Sequence, residues 1–348
     1  MAKANIEVVI AQIEVLRKAT SLSRISDSDY ALLLQEVRRV GVSEVRGVLG
    51  DRLRSALGEV MQMQKHLPGK HDQRAHAGRG GALPLHPGPA LEGDQLKALQ
   101  KDSAAAHLVP DGAGGYRFSD ERQALHDRIV ADAVAGVPPS ADPTYTLMGG
   151  GPAAGKSTVL DNPQLGLPGK GDAVVVDSDA IKGSLPEYRD MVAAGDIGAA
   201  AFAHEESSYL AKRVQLTAFG NRQNVLLDGT GDESATNVRK KISTARANGY
   251  KVTGEYVTAD TDASVARAKT RAARTGRMPP EPFIRNTHAS VSRIVPEVAG
   301  DFDSIRVWDT NGSGAKLIAQ GSLGKTLTVL DAPAFSAFLA KGTVPRVP

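Results

Sequence analysis

Apolar positions recur with helical spacing from the first residues. Ile6, Val9, Ile10, Ile13 and Leu16 fall on one helical face. Residues 26–29 offer N-cap side chains ahead of Leu32, Leu33, Val37 and Val40, with Gly41 as a stop. Ser43 opens a third stripe through Val45, Val48, Leu49, Leu53, Leu57 and Val60. Residues 1–65 are therefore expected to form a helical adaptor. The periodicity breaks at His66. The run "HLPGKHDQRAHAGRGGALPLHPGPALEGD" is rich in Gly, Pro and His, and residues 66–117 are expected to be a linker. His66, His71 and His76 stand near Asp72 there, but their spacing matches no zinc pattern.

Order returns at residue 118. Ser119 is placed to cap a helix whose buried stripe is Leu125, Ile129, Val130 and Ala133. Beyond it, short apolar runs alternate with helical stretches. "TYTLM", "AVVV", "NVLLD" and "KVTGEYVTA" read as strands, with "SIRVWDT" and "KTLTVLD" as late ones. "HEESSYLAKRVQLTAF", "SATNVRKKISTARANG", "ASVARAKTRAARTG" and the closing "APAFSAFLAKG" read as helices. This alternation predicts an α/β fold over residues 118–348: a mostly parallel sheet with helices on both faces.

Composition narrows the chemistry. Of 348 residues, 41% are hydrophobic but only 4% aromatic, so the core is built from Ala, Val, Leu and Ile. There is no cysteine, which excludes disulfides, thiolate metal sites and cysteine nucleophiles. The net charge of +3 permits a polyanionic partner without requiring one. The run "IEVVIAQIEVL" is too short and too acidic for a signal peptide or a membrane span, and a cytoplasmic protein is expected.

The chemistry starts at "TYTLMGGGPAAGKSTVL". Gly150, Gly151, Pro152, Ala153, Ala154, Gly155, Lys156 and Ser157 fit G-x-x-x-x-G-K-[ST], followed by Thr158. A strand ends, the chain turns tightly, and a helix begins with its free N–H groups aimed into the turn; such groups favour anionic oxygens. Lys156 reaches the outer phosphates of a nucleotide and Ser157 ligates Mg2+. ATP with Mg2+ is the expected ligand, GTP being the other nucleotide the motif serves, and the fold class becomes that of a P-loop NTPase or kinase.

Three further pieces bear on which group receives the phosphate. "AVVVDSDAIKGSLPEY" sets Asp177 and Asp179 just beyond a strand, at the rim where ligands bind in open parallel sheets. One can accept a proton from an attacking hydroxyl while the other orders the metal; an Asp179 helix cap is the structural alternative. "NVLLDGTGD" brings Asp228 and Thr230 to the same rim, where they suit a substrate's hydroxyl or amide groups, or form a turn. "RAKTRAARTGRMPPEPFIR" carries Arg267, Arg271, Arg274 and Arg277. Arginines that fold over a transferring phosphoryl group stabilise its spread charge, and "TGRMPP" reads as a lid hinge.

In this order these pieces resemble the zeta-toxin family of P-loop kinases, over roughly residues 118–310. The resemblance implies an ATP- and Mg2+-dependent kinase for the 3′-hydroxyl of the amino sugar in UDP-N-acetylglucosamine. By position it makes Asp179 the base and a metal-side residue with Ser157. Lys156 and Ser157 bind the phosphates and Mg2+, Arg271 and Arg277 clamp the phosphoryl group, and Asp177, Asp228 and Thr230 line the substrate pocket. Some members have Glu where Asp228 stands, and many have Arg where Lys182 stands. It also implies an antitoxin partner. Separately, "KHLPGKHDQRAHAGRGG" resembles a stretch of phage head- and portal-associated proteins, which would make residues 1–65 a docking element for a phage component. Two alternatives stay open: a kinase for another hydroxyl, such as a polynucleotide end or other metabolite, and a non-catalytic phage-associated protein. No interleaved aromatics mark a surface for stacking bases.

Overall fold

The computed structural model describes residues 26–40, 83–167, 171–196, 198–230, 234–275 and 279–345. The chain divides into two compact units, residues 1–81 and 82–348. In the first, α1 (Asp27–Val40) forms where caps and stripe predict it. The Ser26 hydroxyl oxygen accepts the Asp29 backbone N–H at 3.1 Å. The buried stripe is Tyr30, Leu33, Leu34 and Val37, whereas Leu32 faces out; the spacing i, i+3, i+4, i+7 selects Leu34 over Leu32. The other two expected helices, and His66, His71, Asp72 and His76, lie outside the described residues.

The second unit is built on a seven-stranded sheet. Its strands are β3 (Thr144–Gly149), β4 (Val174–Val176), β5 (Val225–Asp228), β6 (Lys251–Thr258), β7 (Ser304–Asp309), β8 (Lys316–Ser322) and β9 (Thr328–Val329). They lie in the order β4-β5-β3-β6-β7-β8-β9. The first five in that order run parallel, and β8 and β9 are antiparallel. A separate hairpin, β1 (Leu108–Pro110) with β2 (Tyr116–Phe118), precedes the sheet. β3 is central, so both its faces are covered and it is buried from Tyr145 to Gly149, Thr146 included, rather than on alternate residues.

The helices of this unit are α2 (Gly93–Leu99), α3 (Asp120–Val134), α4 (Lys156–Leu160), α5 (Ser178–Lys182), α6 (Pro186–Ala193), α7 (Ala199–Phe202), α8 (His204–Gly220), α9 (Ala235–Ala247), α10 (Thr261–Thr275), α11 (Glu281–Val298) and α12 (Ala332–Lys341). Strand alternation sends Tyr145 and Leu147 to one face, where α3, α8, α9, α11 and α12 supply the partners. Met148 faces the other way, into a smaller cluster with Val159 of α4 and Trp308. The sheet is mostly parallel with helices on both faces, as the sequence predicts, though one face carries most of them.

Two expectations are corrected. The described part of the 66–117 linker is folded. Arg213 and Tyr209 of α8 donate to the backbone oxygens of His86 and Pro87 at 2.7 and 3.2 Å, and the His86 N–H donates to Thr217 Oγ1 at 2.9 Å. Asp111 accepts the N–H groups of Ala113 and Gly115, which turns the β1–β2 hairpin. Side chain-to-backbone bonds hold this segment, so it carries no apolar period to read. Second, "KTLTVLD" supplies only the two residues of β9, and the long late strand is β8 instead. Residues 281–298, to which the alternation assigned no element, form α11, with Pro282 in its first turn, where its missing N–H costs nothing. No helix among the described residues is long and apolar enough to cross a membrane.

Candidate active site

Strand register sets the rim of the site. Met148 pairs with Asp228 and Gly149 with Tyr256, so β3, β5 and β6 end together. The loop leaves β3 through Gly150 at φ 142°, passes Ala153 at φ 58°, and enters α4 through Gly155 at φ 90°. Side chains rarely adopt such angles. Space forbids them too: a Cβ on Gly150 would lie 2.5 Å from the Val257 carbonyl oxygen, and one on Gly151 2.2 Å from His288 Cδ2. Gly150 N–H donates to the Thr230 carbonyl at 2.8 Å, which ties the end of β5 to the loop. Lys156 donates to the Gly150 carbonyl at 3.4 Å and lies 3.7 Å from Asp228 Oδ1. Ser157 and Thr158 follow in α4, both exposed.

Two residues apart, the twin acids have different tasks. Asp177 is the N-cap of α5, its Oδ1 accepting the N–H groups of Asp179 and Ala180 at 2.8 and 3.1 Å. The sequence weighed that cap for Asp179; β4 ends at Val176, which makes Asp177 the last non-helical residue. Asp179 then stands in the first turn, largely exposed, with its Oδ1 2.7 Å from the ammonium of Lys182, which is itself buried. Burial pushes the Asp228 carboxyl up, against the pull of Lys156, and the charges of Asp177 and Asp179 push it further. Lys156, Asp177, Asp179 and Asp228 thus share one electrostatic neighbourhood.

The arginines divide. Arg267 donates to the Thr310 carbonyl at 3.0 Å. Arg271 is exposed one turn later on α10. The side chain of Arg274, and Arg277 entirely, lie outside the described residues. Arg285, the last of the basic run, joins Asp262 and Glu281 at 2.7 and 2.8 Å, bracing α10 against α11.

Sequence reading gave no role to three residues here. Lys182 buries its amine beside Asp179. His288 donates through Nε2–H to the Pro152 carbonyl at 3.1 Å, and Thr310 donates through Oγ1–H to that of Ala154 at 2.6 Å. Burial lowers the His288 imidazole to about 4, so it is neutral at neutral pH. A histidine set among Ile284, Val291 and Ile294 on one helix is the only sequence signal for it, and Thr310 shows only as a polar residue at a strand end.

The family model for zeta toxin matches residues 127–320, more than half of the chain. The chain belongs to the zeta toxin family. The phosphate loop formed as described is of the kind that cradles a nucleoside triphosphate. Among solved structures it is similar to the complex of AvrRxo1-ORF1 with AvrRxo1-ORF2. The form with ATP has a TM-score of 0.54 at 20% identity, covering 66% of this chain and 76% of that one. The form with sulphate ions has a TM-score of 0.56 at 19% identity, covering 76% and 82%. That likeness shows the fold. A curated relative, the calmodulin calcium-dependent NAD kinase of Arabidopsis thaliana, is 33% identical over 129 residues. The match takes in 32% of this chain and 24% of the relative, so the chain spans about a quarter of that protein's length.

Proposed function

We propose that this chain is an ATP-dependent kinase that transfers the terminal phosphate to a sugar hydroxyl of a second nucleotide, and that a dinucleotide of the NAD type is the acceptor. The observation that carries the transfer is Lys156 within 3.7 Å of Asp228 at the mouth of the phosphate loop, with the charge of Asp179 near enough to act on that carboxyl. The acceptor class is supported by the identity shared with the plant NAD kinase. Asp179 takes the proton from the attacking hydroxyl, and Lys182 holds the carboxylate in place for it. Lys156 neutralises charge that develops on the outer phosphate oxygens. Arg271 on α10, with Arg277, is assigned to the transferring phosphoryl group. Asp228 and Thr230 are assigned to the acceptor, as is the oxygen of Asp177 that the cap does not use.

The donor set suits magnesium held jointly with a nucleotide. A hydroxyl at Ser157 and a carboxylate at Asp179 match the sparse protein ligation of this ion, which keeps waters and phosphate oxygens. When bound, the ion screens the triphosphate's charge.

A second reading keeps the acceptor implied by the family resemblance, the amino-sugar hydroxyl of UDP-N-acetylglucosamine. Lys182 in place of Arg and Asp228 in place of Glu set the two apart. Pairing with an antitoxin goes with either reading, supported by the two-chain AvrRxo1 complexes. So do a cytoplasmic site of action and residues 1–65 as the docking adaptor, with a phage component as another partner for it.

The test is transfer from γ-labelled ATP to NAD, UDP-N-acetylglucosamine and a 5′-hydroxyl oligonucleotide, by the parent and by Asp179→Asn. Label on NAD that disappears in the variant supports the proposal. Label on the sugar nucleotide alone moves the conclusion to the second reading. Transfer that survives in Asp179→Asn removes the assigned base.

A further inference from the structure

A loop whose amides converge on an anion turns its carbonyls outward, and buried carbonyls need donors. Here two of those carbonyls are met by side chains from far along the chain. His288 of α11 reaches Pro152, and Thr310, just past β7, reaches Ala154. Both side chains are buried. Both also press against the loop's glycines. The imidazole occupies the space that a Cβ on Gly151 would need, and a Cβ on Gly155 would lie 2.9 Å from Thr310 Oγ1.

Thr310 and the strand end beside it are themselves fixed. The Thr310 N–H donates to the Thr258 carbonyl at 3.0 Å, and Arg267 holds the Thr310 carbonyl. The Lys341 ammonium, at the end of α12, is bonded to Thr258 Oγ1 and to the Ala259 carbonyl. The end of β6 is thereby pinned between the two donor sites. The neutral imidazole carries its proton on Nε2, because the Pro152 oxygen can only accept.

We propose that His288 and Thr310 are positioning residues that set the curvature of the phosphate loop from outside the motif, so that nucleotide affinity depends on both. The inference rests on the reading that the loop binds ATP. It adds a requirement the motif does not contain: two donors lying 136 and 156 residues beyond the carbonyls they hold. Removing either leaves a buried carbonyl without its partner and frees the loop to turn that oxygen inward, against the phosphates.

The experiment measures affinity for a non-hydrolysable ATP analogue by calorimetry, with thermal midpoints recorded alongside. His288→Leu and Thr310→Val remove the donors at similar volume. His288→Gln and Thr310→Ser keep an N–H and an O–H at comparable reach. The expected result is a loss of about ten- to a hundredfold in affinity for Leu and Val, the range for a buried partner left unmet. Gln and Ser should stay within about threefold of the parent. Rescue by the conservative pair is what a merely structural role would not produce. Parental affinity in both His288→Leu and Thr310→Val overturns the inference while leaving the ATP reading intact. Equal losses in the conservative and non-conservative variants, tracking the thermal midpoints, overturn it too. A parent that fails to bind the analogue overturns both readings.

Discussion

Glu206→Gln tests what holds the segment ahead of the phosphate loop against the kinase sheet. Glu206 is fully buried on the first turn of α8. Its carboxylate accepts from Arg122 Nε and Nη2 at 2.6 and 2.8 Å and from His126 Nε2 at 2.7 Å, and Ser103 Oγ lies 2.7 Å away. Burial alone would raise its carboxyl, but the bonds from His126 and Arg122 outweigh burial and bring it to about 2, from an ordinary value of 4.5. At about 1.4 kcal/mol per pKa unit, that difference corresponds to about 3 kcal/mol of stability. Breaking a buried ion pair by removing one charge costs about 3–5 kcal/mol, so two routes agree on about 3. Glutamine keeps the shape but turns one acceptor into a donor and leaves Arg122 only Glu187, at 2.9 Å, as a charged partner.

The assay is chemical and thermal unfolding of parent and variant across pH. At neutral pH the thermal midpoint should fall by roughly 6–10 °C for a unit of this size. The sign with pH follows from linkage. The Glu206 carboxyl sits below its unfolded value, so its contribution is complete above about 4.5 and is lost as pH falls through about 2. The gap between parent and variant should therefore narrow on acidification from 4.5. A difference under about 1 kcal/mol at neutral pH, or one that does not change with acid, would refute the reasoning.

Three shorter predictions follow. Gly88→Ala places a Cβ 2.6 Å from Tyr209 Oη at a φ of +96°; it should cost about 1–3 kcal/mol by denaturant titration and expose the neighbouring chain to protease. The parent should lose stability as pH falls from 6.5 towards about 4, because the unfolded His288 imidazole binds a proton that the buried one refuses; comparing urea midpoints at pH 7 and 5 checks this, and His288→Leu should flatten the slope. Magnesium removed by chelation should weaken ATP binding in calorimetry by at least about tenfold, and equilibrium dialysis should find the ion retained only when ATP is present, as expected of an ion ligated chiefly by phosphate and water.

What the sequence disclosed depended on how local the determinants are. The strand, loop and helix around Lys156 were legible because the glycines, the lysine and the flanking apolar run are contiguous. The position of Asp228 followed from "NVLLD" for the same reason. α11 was hidden because Pro279, Pro280, Pro282 and Pro296 all count against helix in a linear reading, although the first three lie at or before its first turn. The folded part of the segment before Ser119 was hidden more deeply. Much of its support comes from Arg213, Tyr209 and Glu206, which follow it in the chain, and its own core residues, Leu99 and Ala104 among them, are too widely spaced to announce the fold. His288 and Thr310 were silent on the same ground, since the carbonyls they hold are remote in sequence.

The division between Asp177 and Asp179 shows how such remote support reaches the chemistry. Asp177 starts α5 by accepting two of its N–H groups, and that fixes the helical register. Lys182 lies three positions after Asp179, so the same turn brings their side chains together on one face. Lys182 can hold Asp179, the proposed base, only while its stem stays buried, and α5 packs against α8. The first turn of α8 is in turn anchored from the segment that looked like a linker: Asp102 accepts the Glu205 N–H at 2.6 Å, and Ser103 meets Glu206. Arg122 and His107 both reach Glu187 on α6, which follows α5 by a single turn of chain. A short helix of five residues has little stability of its own, so the orientation of Asp179 is set by these neighbours. Loosening residues 99–107 should therefore disturb catalysis more than nucleotide binding, because the phosphate loop is held from the opposite side, by β6, β7 and α11.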